Sequence, residues 1–205
     1  MVKILVFGDS ITWGAFDLES GGWVERLKTV YMNMRPEVKY YVYNFGVSSN
    51  DTRGVLFELE KRLEIIEKIE PDDYIFVFSI GSNDCRYIKT KENKFVPIDE
   101  FESNLKKIIS LTRKYSEKII FTGFLEVDES KTKPWLEDEF WENDDLEEYD
   151  KKLKGICKSE NIGFIPFLNL LTKEDLHDGL HPNSKGHRKI FERVKEELNE
   201  ILKVN

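Results

Sequence analysis

The sequence holds only two cysteines, Cys85 and Cys157. Two exclude a disulfide framework, and their separation fits no metal-ligand spacing. Cys157 falls on the apolar side of a helical pattern and reads as core. No apolar run approaches the roughly 18 residues needed to cross a bilayer. The N-terminus enters a strand pattern at once, without a basic region, an apolar leader core or a small-residue cleavage site, so a cytoplasmic protein is the expectation. Positive charge is also in deficit: 31 Lys and Arg stand against 39 Asp and Glu, a net charge of −8. That balance argues against a nucleic-acid footprint or an anionic membrane surface as partner. Alanine occurs once, at Ala15, and glutamine is absent; neither scarcity carries a functional reading. What remains is ordinary for a globular chain. Its 205 residues, 40% of them hydrophobic, suffice for one domain with a substantial core.

Short apolar runs alternate with amphipathic segments from end to end. The run Lys3 to Phe7 is β-branched and aromatic, and Gly8 breaks it, which predicts a buried strand. Gly21 to Arg35 predicts a helix stopped by Pro36. Tyr40 to Phe45 is the second strand. Thr52 to Ile69 carries Leu56, Leu59, Leu63 and Ile66 at the spacing of a helix face. Tyr74 to Ile80 is apolar almost throughout, as a strand buried on both faces of a parallel sheet must be. A helix containing Phe101, Leu105, Ile108 and Ile109 precedes a fourth strand at Lys118 to Thr122. Leu146 to Glu160 is helical, Gly163 to Phe167 is a fifth strand that Pro166 assigns to a sheet edge, and Ser184 to Leu202 is the last helix. Five strands separated by helices predict an α/β fold, a doubly wound and mostly parallel sheet in one domain spanning residues 1–205.

One segment departs from this rhythm. Residues 126–150 hold twelve acidic residues against two lysines, interleaved with Trp135, Phe140 and Trp141. The plain reading is a solvated loop at about 126–145 with aromatics folded onto the core. The sharper one is a lid or pocket wall in which Trp135, Phe140 or Trp141 lines a substrate cleft. The same aromatics would also suit a dimer surface.

Residues able to carry chemistry follow the strands, where open α/β sheets place their ligands. Asp9 and Ser10 follow the first strand. A serine there is a nucleophile only if a base and an oxyanion site meet it; otherwise it caps a turn. Asn44-Phe45-Gly46 and Ser48 to Thr52 follow the second strand, where a glycine N–H could face a ligand or simply make a turn. Gly81-Ser82-Asn83-Asp84 follows the third, and an asparagine amide can donate to a developing oxyanion. Asp178-Gly179-Leu180-His181 follows the fifth, so one compact turn could supply a histidine base together with the carboxylate that holds it. His177 reads as exposed and His187 as structural.

These four blocks, in this order, resemble the SGNH hydrolases, also called the GDSL esterase/lipase family, and the resemblance covers essentially the whole chain. It implies a three-layer α/β/α sandwich with a flavodoxin-like sheet and a serine carboxylester hydrolase without metal or cofactor. Ser10 matches the family's nucleophile, His181 its general base and Asp178 the orienting carboxylate. The Ser10 N–H, the Gly46 N–H and the Asn83 side chain match its oxyanion hole. Asp9, Trp135, Phe140 and Trp141 are the pocket candidates. A histidine base implies activity that falls in acid as the imidazole protonates. The chain departs from the family pattern at Ile11, where the name motif has leucine, and at Ser49 to Thr52, where many members carry a glycine and then threonines.

Short acyl esters are the expected small-molecule substrates, since no long apolar lid or membrane-docking stretch accompanies the motifs. A lysophospholipase or thioesterase of the same family, and a non-catalytic module binding carbohydrate or protein, are the competing readings. A phosphatase using Asp9 as nucleophile is disfavoured, because the position two residues later is Ile11 and no acidic pair is placed to hold magnesium.

Overall fold

The β-branched and aromatic runs form a sheet, and the amphipathic segments between them pack on its two faces. The computed structural model describes residues 1–34, 38–66 and 73–203. In chain order the elements are β1 (Val2–Gly8), the one-turn α1 (Ser10–Trp13), α2 (Trp23–Met32), β2 (Tyr40–Gly46), α3 (Thr52–Ile66) and β3 (Asp73–Ser79). Then come the short α4 (Ser82–Cys85), β4 (Tyr87–Ile88), α5 (Ile98–Thr112), β5 (Ile119–Thr122), α6 (Glu129–Thr132) and β6 (Glu139–Phe140). The chain continues through α7 (Asn143–Glu160), β7 (Gly163–Ile165), a single 3₁₀ turn (Lys173–Asp175) and α8 (Ser184–Leu202). None of these helices is long and apolar enough to cross a membrane.

Five strands pair in the order β2-β1-β3-β5-β7, each parallel to its neighbours. The near-continuous apolar strands β1 and β3 are central, and β7, followed by Pro166, is an edge. Residues of each strand alternate between faces. Ile4, Val6, Ile75 and Val77 join Trp23, Leu27, Ile190 and Val194 of α2 and α8 in one buried cluster. Leu5, Phe7, Phe76 and Phe78 join Leu59, Leu105 and Leu153 of α3, α5 and α7 in the other. The result is the expected three-layer α/β/α architecture.

A row of four phenylalanines crosses that second face one residue short of the strands' ends. Phe45, Phe7, Phe78 and Phe121 follow one another with ring centroids 5.0, 5.4 and 4.9 Å apart. Just beyond this row the chain leaves β1 toward β2 on one side and later toward β3 on the other. That reversal opens a crevice at the carboxyl end of β1, and Ser10 stands in it.

Differences from the sequence expectation lie at the ends of elements. The first predicted helix, Gly21 to Arg35, stops at Met32 as α2, and its expected terminators Arg35 and Pro36 lie outside the described residues, as does Ile69 of the next helix. The acidic segment is built rather than loose. α6 and β6 fall inside it, and β6 pairs antiparallel with β4 through Tyr87 and Phe140. α7 begins at Asn143 rather than Leu146, with Asp144 and Asp145 in its first turn, where the helix dipole favours negative charge.

Candidate active site

Asp9 ends β1 in an extended conformation and caps α1, its carboxylate accepting the Ile11 N–H at 2.9 Å. This cap turns the chain so that Ser10 becomes the first residue of a helix, where its own N–H has no intrahelical partner. Gly8 makes the turn possible, because a Cβ there would collide with the Thr12 side chain and the Ser79 carbonyl. Ser10 is 8% exposed, with its hydroxyl 2.9 Å from Nε2 of His181.

His181 arrives on the turn after β7. Asp178 Oδ1 accepts the backbone N–H of Leu180 at 3.0 Å and of His181 at 2.8 Å, while Oδ2 lies 2.8 Å from His181 Nδ1. The His177 N–H donates to the His181 carbonyl and closes the turn. With a carboxylate at Nδ1, the ring proton sits on Nδ1, and Nε2 is left to accept the Ser10 hydroxyl. Burial pushes the Asp178 carboxyl up, but the bonds from the His181 ring and the two amides outweigh it and hold the group below its ordinary range.

Asn83 projects from α4, with its Nδ2 donating to the Asn50 carbonyl at 2.8 Å and its Oδ1 accepting from Arg86 at 3.4 Å. Those two contacts select one amide orientation. A flip would set oxygen against the Asn50 carbonyl and NH₂ against a guanidinium. Arg86 is itself caged, 3.9 Å above the Phe95 ring and 5.4 Å from that of Trp141, with Glu139 at 3.7 Å. Asp9 ties the two loops together, because its second carboxylate oxygen accepts the Ser82 hydroxyl at 3.1 Å. Burial raises its pKa, and hydrogen bonds from Ile11 and Ser82 oppose the rise.

Behind Asn83 the buried Asp84 accepts both the N–H and the hydroxyl of Thr52, capping α3 from a neighbouring element. Burial is the largest influence on its carboxyl, which is pushed up to about 7. A carboxyl raised in the folded state binds its proton more tightly there than in the unfolded chain, so its contribution to stability falls as pH rises between about 4 and 7. Asp84→Asn removes that titration. The melting temperature of wild type relative to the variant is expected to drop on going from pH 4 to pH 8, by about 2–4 °C per kcal/mol in a chain of this size. Thermal melts at several pH values would check this, and a constant difference would exclude Asp84 as the titrating group.

The structure sorts the other sequence candidates. The Gly46 N–H donates to Asn44 Oδ1 at 2.9 Å, and a Cβ at Gly46 would strike the Thr12–Trp13 backbone. Glycine there lets β2 pass close to α1. The part of that loop touching Asn83 is the turn after it, at Asn50, next to Ser49 with its positive φ of 63°. Among the aromatics, Trp135 reaches His181, edge to face at 5.6 Å. Trp141 is buried behind it and donates to the Ser82 carbonyl, and Phe140 stacks on Tyr87. His187 is fully buried and bonds the Ala15 carbonyl; His177 is exposed. Cys85 is buried, and burial pushes its thiol far up. Phe16 and Arg86 went unnoticed in the sequence. The only trace of Phe16 was an aromatic soon after the Ser10 block, outside any periodic pattern.

A serine, an imidazole and a carboxylate in one hydrogen-bonded line, beside an amide whose orientation is set, can carry out acyl transfer. Comparison with known proteins agrees in kind. Residues 6–189 match the model of the GDSL-like Lipase/Acylhydrolase family. The chain is 27% identical to the isoamyl acetate-hydrolyzing esterase of Saccharomyces cerevisiae, over 98% of this chain and 85% of that protein. It is 26% identical to a GDSL esterase/lipase of Arabidopsis thaliana, over 94% and 83%. Among solved structures, a lipase/acylhydrolase from Enterococcus faecalis superposes with a TM-score of 0.76 at 22% identity, covering 98% of this chain and 96% of that one. The acetylxylan esterase Axe2 from Geobacillus stearothermophilus superposes with 0.70 at 23% identity, covering 96% and 93%.

Proposed function

The chain belongs to the GDSL-like lipase/acylhydrolase family, and on that premise we propose that it hydrolyses short-acyl carboxylic esters through a covalent acyl-Ser10 intermediate. That it is an ester hydrolase follows from the family; the substrate and the roles of the residues are our reading. The observation that carries it is the unbroken line from Ser10 Oγ to His181 Nε2 at 2.9 Å and from His181 Nδ1 to Asp178 at 2.8 Å.

Ser10 Oγ attacks the ester carbonyl carbon while Nε2 of His181 takes its proton. Negative charge then collects on the former carbonyl oxygen, which meets the Ser10 N–H and the second Nδ2–H of Asn83. The Gly46 N–H is donated to Asn44 Oδ1 at 2.9 Å and joins this hole only by leaving that partner. The imidazolium returns its proton to the alcohol oxygen as the C–O bond breaks. Water repeats the cycle against the acyl-enzyme, releasing the acid and restoring Ser10. Asp178 keeps the ring in its working tautomer and steadies the imidazolium. Arg86 is a positioning residue: its charge at Asn83 Oδ1 sets the amide's orientation and polarises its N–H groups.

Two considerations support a short acyl group. Trp135 closes on the His181 ring edge to face at 5.6 Å, which leaves limited room beside the reacting serine, and the relatives include proteins named for isoamyl acetate and acetylxylan. The test is a chain-length series of p-nitrophenyl esters from acetate to palmitate, with a chelator in the buffer. We expect kcat/KM to be greatest for acetate or butyrate and to fall by about tenfold or more toward octanoate, a size of effect that a closed pocket imposes for a few methylenes. A maximum at octanoate or palmitate would replace this reading with a lipid-directed one.

A further inference from the structure

We propose that the alcohol portion of the substrate is small and apolar, and that Phe16 and Trp135 bind it. The proposal rests on the Ser10–His181 mechanism and extends it to the leaving group. The base must hand a proton to the departing alcohol oxygen, so that oxygen lies within hydrogen-bond reach of Nε2. The carbon skeleton attached to it therefore runs over whatever rings touch the His181 imidazole. Phe16 lies 5.3 Å from it, centroid to centroid, and Trp135 5.6 Å.

Phe16 is placed as a binding surface rather than as core. It is 41% exposed, and its φ of 63° is a left-handed conformation that costs any residue with a Cβ. Strain of this kind persists where surrounding structure imposes it, and it clusters at binding and reacting centres. Here Phe16 sits in a tight turn closed by the Asp17 N–H on the Gly14 carbonyl, and the His177 ring lies parallel to its own at 4.2 Å and 12°. The exposed histidine thus holds a phenylalanine upright beside the base.

The carboxylate that follows Phe16 in the chain is already committed, which favours an apolar alcohol over a sugar. The Asp17 carboxylate accepts the N–H groups of Glu19, Ser20 and Gly22 and pairs with Arg26. Glu19 is shared between Arg26 and Arg188. A sugar ring stacked on Phe16 would find the Asp17 carboxylate already occupied by three backbone N–H groups and Arg26, and hydroxyls directed there unmatched, at a cost in affinity. Trp13, Leu18 and Leu136, close in the chain to Phe16 or Trp135, are also exposed apolar side chains.

The experiment holds the acyl group constant and varies the alcohol. Hydrolysis of isoamyl, benzyl, 2-methoxyethyl and xylosyl acetates is followed by titration of released acid, for wild type, Phe16→Gly and Ser10→Ala. Glycine is the right replacement, because it takes the left-handed backbone freely and removes only the ring. We expect wild type to favour the isoamyl and benzyl esters over 2-methoxyethyl acetate by about tenfold in kcat/KM, mainly through KM. In Phe16→Gly most of that preference should vanish, while the order of methyl acetate, propionate and butyrate is retained. Equal or greater rates on the methoxyethyl or xylosyl ester in wild type would overturn the proposal. So would a Phe16→Gly loss of the same factor on every ester. In both cases hydrolysis that still depends on Ser10 would leave the mechanism standing. Hydrolysis that survives in Ser10→Ala would remove the mechanism and the proposal together.

Discussion

Replacing Ser10 by alanine is expected to lower kcat for p-nitrophenyl acetate by at least about 10⁴-fold, the scale of losing a nucleophile that works as a unit with its base. Only one oxygen is removed. The Ser10 N–H remains at the start of α1, and the cap that shapes the turn belongs to Asp9. The variant should therefore fold as wild type does and keep whatever catalysis the oxyanion donors give alone. For the same reason, Ser10→Ala combined with His181→Ala should be little worse than either single change. Initial rates on carefully freed enzyme would check both statements. Retention of more than about 1% of activity would mean that the nucleophile lies elsewhere, since losing a true serine nucleophile costs on the order of 10⁴-fold or more.

Asp178→Asn is the more discriminating change, and its expected loss is also about 10⁴-fold in kcat, the scale measured when an orienting aspartate of a serine protease is amidated. The reason here is specific to the turn. Oδ1 of Asp178 accepts two backbone N–H groups, from Leu180 and His181. An asparagine must keep its oxygen at that position and so turns its NH₂ toward His181 Nδ1. A donor there forces the ring proton onto Nε2, the atom that has to accept from Ser10. Asp178→Ala carries no such donor and leaves the tautomer free, so it should be less damaging than Asp178→Asn. The reverse ranking would show that the carboxylate's charge, or its hold on the two backbone N–H groups, matters more than its control of the tautomer. A comparison of kcat for the two variants decides it.

The strands, and the residues that the fold brings into the Ser10–His181–Asp178 hydrogen-bonded line, were legible in the sequence for the same reason: each is written within a few consecutive residues. β1 and β3 are buried on both faces, so their apolar runs are nearly unbroken, and the residues after them stand where a parallel sheet leaves a crevice. Asp178 and His181 share one turn, so their spacing carries the geometry. The ribbon of β4 and β6 left no such trace. Its strands have two residues each, too few for any periodicity, and Phe140 meets Tyr87 across a separation that no local pattern encodes. Phe16 and Arg86 were hidden for a similar reason, since each owes its place to partners distant in the chain: His177 for one, Phe95 and Trp141 for the other. Gly46 shows the opposite limit. Its place in a motif is plain, yet only coordinates reveal that Asn44 takes its N–H.

Ser10 and His181 are 171 positions apart, and what brings them together includes the bond from buried His187 to the Ala15 carbonyl. During synthesis, then, Ser10 waits for 171 further residues before the imidazole proposed as its base exists. A nascent chain holding β1, β2 and β3 carries a serine no more reactive than any other. Ester hydrolysis by the proposed pair is acquired only after His181 has been made, and on unfolding it should be among the first properties to go, as soon as α8 lifts from the segment after α1.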